Sequence, residues 1–194
     1  KAGFPADLWQ VVSGAGSVVG TAIIERADYI CFTGSTATGK LVMQYAAQSN
    51  MKRVSLECGG KSPNIVLADY PDLDRAATAA AYAIFFNQGE MCSAGSRLLV
   101  QRAARDAVLE KVAEIGRTMT PGEPLDPATR LGAIVDETQM KRVLGYIGTG
   151  REEGARIALG GRRVREESGG FFVEPTVFDG VERSMRVARE EIFG

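Results

Sequence analysis

The first third of the chain changes its hydrophobic period from that of a strand to that of a helix and back. Residues 28–33 form a β-branched and aromatic run, and residues 40–47 carry apolar side chains at helical spacing. A glycine-bracketed turn at 34–39 separates them, and a second strand is predicted at 52–58. This order of strand, turn, helix and strand predicts a β-α-β unit with parallel strands.

The same alternation continues along the rest of the chain. A strand is predicted at 64–68 after a Gly-Gly-Lys-Ser-Pro break, followed by an alanine-rich helix at 72–86 that Asp72 or Asp74 caps. Further predicted elements are strands at 97–101 and 155–159, helices at 104–119 and 136–153, a loop at 121–127 and an extended segment at 169–177. The predicted fold class is therefore α/β, with a domain boundary at Gly59 and Gly60.

Composition and charge narrow the function classes. The 194 residues are 45% hydrophobic, and 23 basic side chains face 24 acidic ones, so the chain carries no basic field for nucleic acid. No apolar run approaches the roughly 20 residues of a membrane span, and the first residues show no signal-peptide pattern. We therefore expect a cytoplasmic protein that binds neither nucleic acid nor a membrane.

Cysteine and histidine usage excludes several kinds of site. The three cysteines, Cys31, Cys58 and Cys92, are too few and too scattered for a disulfide framework, and they lack the spacing of zinc ligands. The chain contains no histidine, which excludes catalytic arrangements and metal sites built on imidazole. We expect reduced thiols and no metal, and we assign Cys31 and Cys58 as small buried apolar residues.

Cys92 differs from the other two cysteines because it lies in a loop of small residues that follows an apolar helix. Its neighbours are Gly89, Ser93, Ala94, Gly95 and Ser96. Such a loop leaves room for a ligand at the sulfur and lets backbone N–H groups face an oxyanion. The residues alone leave two interpretations open, a nucleophile and a small buried apolar side chain.

A carboxylate suited to act as a base precedes Cys92 in the chain. Glu57 lies at the end of the strand predicted at 52–58, before two glycines, and its sequence neighbours Val54, Leu56 and Cys58 are expected to surround and desolvate it. The alternative is a surface carboxylate or the partner of an arginine. The turn between Gly34 and Gly39 suits a phosphate at a helix N-terminus, although glycines also serve such turns for backbone reasons alone.

Four segments together resemble the NAD(P)-dependent aldehyde dehydrogenase superfamily in order and approximate spacing. They are Phe-Thr-Gly-Ser-Thr-x-x-Gly at 32–39, Leu-Glu-Cys-Gly-Gly-Lys-Ser-Pro at 56–63, Phe-Asn-Gln-Gly-Glu-x-Cys at 86–92 and Glu-Glu-Ile-Phe-Gly at 190–194. The resemblance covers the entire chain but only the middle-to-late part of a typical member. It implies that 1–59 closes a Rossmann-like coenzyme-binding domain, that 60–194 belongs to the α/β catalytic domain of that fold, and that the active site lies between them.

The resemblance also implies the chemistry and the residues that perform it. Cys92 matches the nucleophile that forms a thiohemiacetal and then a thioester, and Glu57 matches the base that activates the hydrolytic water. The coenzyme-binding positions are Gly34, Ser35, Thr36 and Gly39 at the turn, with Glu191 and Phe193 at the nicotinamide ribose and ring. The expected coenzyme is NAD or NADP, with NAD favoured; the partners are a small aldehyde and further copies of the chain, as a dimer or tetramer.

Some parts of the family pattern are missing from this sequence. The chain starts at Lys1, and the asparagine that stabilises the oxyanion in the family lies upstream of it, so we expect a piece of a longer protein that is inactive alone. Residues 90–100 look similar to the subgroup that oxidises amino-aldehydes such as γ-glutamyl-aminobutyraldehyde. The alternatives are an enzyme that acylates coenzyme A or runs as a reductase, and a non-catalytic binding or structural relative.

Overall fold

The structure is a computed structural model that describes residues 3–5 and 7–194. It divides into two compact units, Lys1–Gly59 and Gly60–Gly194, which we call the first and second units. The assignment of these units to coenzyme binding and to catalysis stays a prediction. Among the described residues, no helix combines the length and apolar character needed to cross a bilayer.

The first unit is built around the predicted β-α-β arrangement. Its elements are a π-helical turn Gly16–Gly20, α1 Thr21–Arg26, β1 Tyr29–Gly34, α2 Thr36–Gln48 and β2 Arg53–Cys58. Strands β1 and β2 pair in parallel, which confirms the prediction. Helix α2 begins four residues earlier than predicted because the Ser35 hydroxyl caps it by accepting a hydrogen bond from the Thr38 N–H at 3.2 Å. Gly39 therefore lies inside the helix rather than at the end of a turn.

One face of this small sheet carries the core of the first unit. The buried residues are Ile24, Ile30 and Val42, against which Ala27, Phe32, Tyr45, Val54 and Leu56 pack. Because side chains alternate along a strand, Cys31 points to the opposite face from Ile30 and Phe32. Its side chain is exposed, so its assignment as a buried residue was wrong, while Cys58 is half-buried.

The second unit contains four helices and three pairs of strands. The regular elements are β3 Pro63–Val66, α3 Leu73–Phe85, β4 Arg97–Val100, α4 Arg105–Thr118, α5 Glu137–Glu152, β5 Arg156–Leu159, β6 Arg163–Val164, β7 Phe172–Val173, β8 Val177–Asp179 and α6 Arg186–Arg189. Short 3₁₀ turns cover Phe86–Gly89, Arg102–Ala104 and Glu166–Ser168. β3 and β4 are parallel, whereas β5 pairs with β8 and β6 with β7 in antiparallel fashion.

The extended segment predicted at 169–177 is divided between two sheets. β7 pairs with β6 and β8 with β5, and Pro175 lies between β7 and β8. Proline has no N–H group to donate to a strand ladder, so the pairing changes partner there. The prediction of one continuous segment was therefore wrong, and it also missed β6 and the last residues of β8.

Helices α3 and α4 form the main core of the second unit. Ala77 and Ala81 are fully buried, as is Val108 on α4, and the small alanines let the two helices approach closely. Asp72 caps α3 by accepting a hydrogen bond from the Arg75 N–H at 2.9 Å, which decides between the two predicted caps. This core supports the end of α3, from which the chain enters the loop of Cys92.

A buried carboxylate ties the start of α4 to the strand pair β5 and β8. Asp179, at the end of β8, is only 9% exposed and accepts hydrogen bonds from Arg105, 2.5 Å from each oxygen, and from Arg156. Burial would raise its pKa, but the hydrogen bonds from Arg156 and Arg105 hold the pKa of Asp179 below its ordinary value. The fold therefore gains stability from the ionised form of this side chain.

We expect Asp179→Asn to lower the free energy of unfolding by about 2 kcal/mol at pH 7, because a buried anion between two guanidinium groups is lost. The neighbouring Asp106 also pairs with Arg105 but is 89% exposed, so Asp106→Asn should cost less than about 0.5 kcal/mol. Urea denaturation of the full-length protein measures both. The difference between the two losses of stability should shrink as the pH falls from 3.8, the ordinary pKa of aspartate, through the lowered pKa of Asp179. Equal losses at pH 7 would contradict the prediction.

Candidate active site

The loop that carries Cys92 begins with an unusual backbone reversal at the end of α3. Asn87, Gln88 and Gly89 have φ angles of 50°, 59° and 81°, all in the left-handed region. The reversal turns the following loop, residues 90–96, back onto α3, where the Gly95 N–H donates to the Ala83 carbonyl at 3.0 Å. We call residues 90–96 the Cys92 loop. The Cys92 side chain in it is exposed.

Two side chains, Gln88 within the reversal and Glu90 directly after it, attach the reversal to residues 132–135. The Gln88 side chain accepts a hydrogen bond from the Gly132 N–H at 3.1 Å and donates to the Ala133 carbonyl at 3.4 Å. Glu90 Oε1 accepts a hydrogen bond from the Val135 N–H at 3.1 Å. Burial raises the pKa of Glu90, although the bond from Val135 opposes the shift. These contacts stabilise two non-glycine residues in a conformation that costs each about 1 kcal/mol or more.

The small residues of the Cys92 loop have a packing reason as well as the predicted chemical one. A Cβ atom at Gly95 would lie 3.2 Å from the Ala83 Cβ and 3.3 Å from the Asn64 Nδ2, so glycine lets the loop approach α3 without displacing these neighbours. A Cβ atom at Gly89 would lie 3.0 Å from the carbonyl carbon of Gly194. The reversal therefore lies directly against the last residues of the chain, which contain Glu191 and Phe193.

Residues 190–194 contain the predicted coenzyme residues Glu191 and Phe193, and we call them the coenzyme segment for that reason. Helix α5 holds this segment in place. Arg142 donates a hydrogen bond to the Glu191 carbonyl at 2.8 Å, and Gln139 Nε2 donates to the Ile192 and Phe193 carbonyls at 2.9 and 2.5 Å. Phe193 has a φ of 64°, and its ring is 37% exposed. These contacts stabilise a left-handed residue and leave its ring accessible to a ligand.

Sequence reasoning did not identify Gln139 and Arg142 as site residues. They lie one position before the buried Met140 and Val143, so an amphipathic pattern was visible in α5. That pattern shows which stripe of the helix borders the core, but it gives no indication of a partner some fifty residues further along the chain, such as Ile192 or Phe193.

A cavity of about 960 Å³ opens inside the second unit next to the Cys92 loop. Its wall includes Met91 and Ser96 from the loop, Lys61 and Arg97 beside it, and Glu191 and Phe193 from the coenzyme segment. Burial lowers the pKa of Lys61 to about 8; the Arg97 charge acts in the same direction and Glu191 opposes it. The second unit thus contains, around one cavity, the Cys92 loop, two of the predicted coenzyme residues and Lys61, an amine of lowered pKa.

The remaining predicted site residues gather at one edge of the first unit. Glu57 pairs in register with Thr33, and Gly34 with Cys58, so the ends of β1 and β2 lie side by side. Gly34, Ser35 and Thr36 lead from β1 into α2, whose first turn offers free N–H groups and a positive dipole end. Gly39 lies one turn further on, where a Cβ atom would come within 3.2 Å of the Cys58 sulfur. This glycine packs the helix onto the sheet.

The prediction that apolar side chains surround Glu57 was wrong. Its sequence neighbours Val54, Leu56 and Cys58 point to the face that packs on α2, whereas Glu57 points to the opposite face and is exposed. Alternation along the strand separates residues that are adjacent in sequence. Glu57 can therefore reach water freely, but these three residues do not desolvate it. In the part of the chain that the structure describes, no group of acidic or cysteine side chains is arranged to hold a metal ion.

Comparison with known proteins decides the family. Residues 1–194 match the aldehyde dehydrogenase family. The chain belongs to this family. Among curated aldehyde dehydrogenases and their relatives, it is 45% identical to a mitochondrial aldehyde dehydrogenase of Homo sapiens and 44% identical to retinal dehydrogenase 2 of Gallus gallus. Each match covers 100% of this chain and 37% of the relative, so the chain spans less than two fifths of their length.

Solved aldehyde dehydrogenase structures confirm the α/β fold. The chain is 59% identical to a γ-glutamyl-γ-aminobutyraldehyde dehydrogenase from Burkholderia cenocepacia J2315, with a TM-score of 0.95 over 99% of this chain and 39% of the other. It is 57% identical to the aldehyde dehydrogenase KauB from Pseudomonas aeruginosa, with a TM-score of 0.92 over 93% of this chain and 37% of the other. An indole-3-acetaldehyde dehydrogenase in complex with NAD⁺ is also 57% identical, with a TM-score of 0.91 over the same shares.

Proposed function

We propose that the full-length protein oxidises an aldehyde to a carboxylic acid with NAD⁺, through a thioester on Cys92. The observation that carries this proposal is the exposed thiol in a loop that lines the same cavity as the coenzyme segment and follows a reversal that packs against Gly194. A thiol at a hydride-transfer site needs both accessibility and a fixed position relative to the coenzyme. Family membership and the NAD⁺ named for an indole-3-acetaldehyde dehydrogenase support the choice of reaction and coenzyme.

The residues present fit a dinucleotide coenzyme. The first turn of α2, directly after Ser35, offers N–H groups for a pyrophosphate. Glu191 and Phe193 would hold the nicotinamide ribose and ring, with the half-exposed ring of Phe193 providing a flat apolar surface. When bound, NAD⁺ supplies the acceptor for the hydride that the aldehyde carbon loses.

Cys92 performs the covalent steps. Its thiolate attacks the aldehyde carbon, a C–S bond forms and the carbonyl electron pair moves to oxygen, where loop N–H groups can stabilise the charge. When the C=O bond forms again, the carbon loses hydride and a thioester remains on Cys92. Water then attacks the thioester, the C–S bond breaks and the thiolate leaves, so the acid is released and Cys92 is regenerated.

We assign Glu57 as the base that takes the proton from the attacking water. Its carboxylate is exposed at the end of β2 and precedes two glycines, which leave space for water beside it. A hydrolytic base favours release of a free acid over transfer of the acyl group to coenzyme A. Coenzyme A acylation, reduction and a non-catalytic role are the alternatives that the experiment below must exclude.

For the substrate we propose an amino-aldehyde of the γ-glutamyl-aminobutyraldehyde type. The support is the 59% identity to the Burkholderia cenocepacia enzyme over 99% of this chain. Indole-3-acetaldehyde is the second candidate, because the dehydrogenase named for it is 57% identical. We further propose that the full-length protein acts in the cytoplasm as a dimer or tetramer.

The test is NADH formation by the full-length protein with γ-glutamyl-aminobutyraldehyde, indole-3-acetaldehyde and a simple aliphatic aldehyde, each with and without coenzyme A. We expect kcat/KM to be at least about tenfold higher for the amino-aldehyde than for the aliphatic aldehyde, since pocket contacts of this size discriminate by such factors. Turnover that requires coenzyme A would contradict hydrolysis. A preference for indole-3-acetaldehyde would retain the reaction and change the substrate.

A further inference from the structure

The carboxylate that begins the coenzyme segment is bound more tightly than its surface position requires. Glu190 accepts two hydrogen bonds from Arg186, Nε to Oε1 at 3.0 Å and a terminal guanidinium nitrogen to Oε2 at 2.9 Å. The Tyr146 hydroxyl donates a third hydrogen bond, to Oε2 at 2.8 Å. The hydrogen bonds from Arg186 and Tyr146 lower the pKa of Glu190 from 4.5 to about 2. Its side chain is therefore held as an anion in one orientation.

Tyr146 is the residue through which α5 reaches this carboxylate. Two guanidinium groups lie over its ring, that of Arg142 5.8 Å and that of Arg186 5.4 Å from the ring centre. The Tyr146 side chain thus contacts Arg186 on α6, Glu190 directly after α6, and Arg142 on its own helix, α5. The backbone of Arg186 is held by a separate contact, because its backbone N–H donates a hydrogen bond to Glu153 Oε2 at 2.8 Å.

The three residues of α5 that contact the coenzyme segment share one face of the helix. Gln139, Arg142 and Tyr146 are spaced by three and four positions, and their contacts follow residues 190–193 in reverse order. Gln139 and Arg142 bond to carbonyl groups, whereas Tyr146 alone among them bonds to a side chain of the segment. This contact fixes the residue immediately before Glu191.

We propose that Tyr146 is a positioning residue, whose hydroxyl fixes Glu190 and thereby orients Glu191 and Phe193 toward the nicotinamide end of the coenzyme. This inference rests on the proposed function and adds to it a residue that would not touch coenzyme or substrate. The physical reason is that Glu190 has few orientations once its carboxylate is held from α5 and α6. Arg142 holds the Glu191 carbonyl, so the backbone between Glu190 and Glu191 is held on both sides.

The test removes the Tyr146 hydroxyl and keeps the ring with its two guanidinium contacts. For Tyr146→Phe in the full-length protein, we expect Kd and KM for NAD⁺ to rise about five- to tenfold, the effect of one ordinary net hydrogen bond at this exposed site. KM for the aldehyde should change less than about twofold. Acylation of Cys92 by an activated aryl ester, which needs no hydride acceptor, should change equally little. A purely structural defect would alter all four values together.

Two further variants show whether the effect passes through Glu190. Glu190→Gln should raise the Kd for NAD⁺ by itself, and adding Tyr146→Phe to it should produce much less than the product of the two separate effects. Tyr82→Phe is the matched control, because Tyr82 lies on α3 and is 50% exposed. Its Kd for NAD⁺ should equal that of the unchanged protein.

The inference is overturned if Tyr146→Phe binds NAD⁺ within about twofold of the unchanged protein, or if its effect multiplies fully with that of Glu190→Gln. Failure of the proposed function gives a different result. An unchanged protein that binds NAD⁺ but oxidises no aldehyde would reject that function, and the Kd comparison would still decide the role of Tyr146. An unchanged protein that does not bind NAD⁺ would overturn both.

Discussion

Cys92→Ala should lower kcat/KM for aldehyde oxidation by at least about ten-thousandfold, because the proposed cycle has no covalent step without the sulfur. The structure supports the choice of this thiol among the three, since Cys92 is exposed in the loop that lines the same cavity as the coenzyme segment. Binding of NAD⁺ should change little. The two measurements, NADH formation and NAD⁺ affinity, therefore separate loss of the nucleophile from loss of the site.

Cys31→Ala is the control for the cysteine experiment. Cys31 is also exposed, but it lies on β1 opposite Ser55 and is not among the residues to which we assign chemistry. Its removal should leave kcat/KM within about twofold, and labelling of the unchanged protein with a thiol reagent should inactivate it only when Cys92 is modified. Substantial aldehyde oxidation by Cys92→Ala would reject the thioester mechanism.

Glu57→Gln should lower the steady rate of NADH formation by about 10²- to 10⁴-fold, the usual contribution of a general base. The glutamine keeps the size of the side chain but cannot take a proton from water. Thioester formation precedes the step that needs this base, so a first burst of about one NADH per site should remain. Rapid-mixing measurements resolve the burst from the steady phase.

Two additions make the Glu57 experiment specific. Hydroxylamine attacks a thioester without a general base, so it should restore part of the steady rate in Glu57→Gln. Glu25→Gln, an equivalent change of an exposed glutamate on α1, should leave both phases unchanged. Loss of the burst in Glu57→Gln would assign Glu57 to activation of the thiol instead, and an unaltered steady rate would remove it from the mechanism.

The family and the main elements could be predicted from local sequence alone. The change of period at 29–58 was sufficient to predict the parallel β-α-β unit, and the four short segments were sufficient to predict the family. Helix α1 was missed because its residues, Thr-Ala-Ile-Ile-Glu-Arg, include three β-branched side chains and carry no strong helix signal. It is stabilised by tertiary packing of Ile24 on Ile30 and Val42.

The surroundings of the proposed site residues were less predictable from the sequence. Glu57 shows an avoidable error, because the period of a strand already separates it from Val54, Leu56 and Cys58. The left-handed conformation of Asn87 and Gln88 was not predictable, because distant bonds to residues 132–135 stabilise the reversal.

The sequence by itself determined the family, the α/β elements and the candidate thiol, because these depend on residue type, period and spacing along the chain. Only the tertiary structure decided that Cys92 is exposed, that the reversal before its loop packs against the coenzyme segment and that Tyr146 binds Glu190. The physical reason is that these features depend on contacts between residues 44 to more than 100 positions apart, for which a local pattern carries no signal.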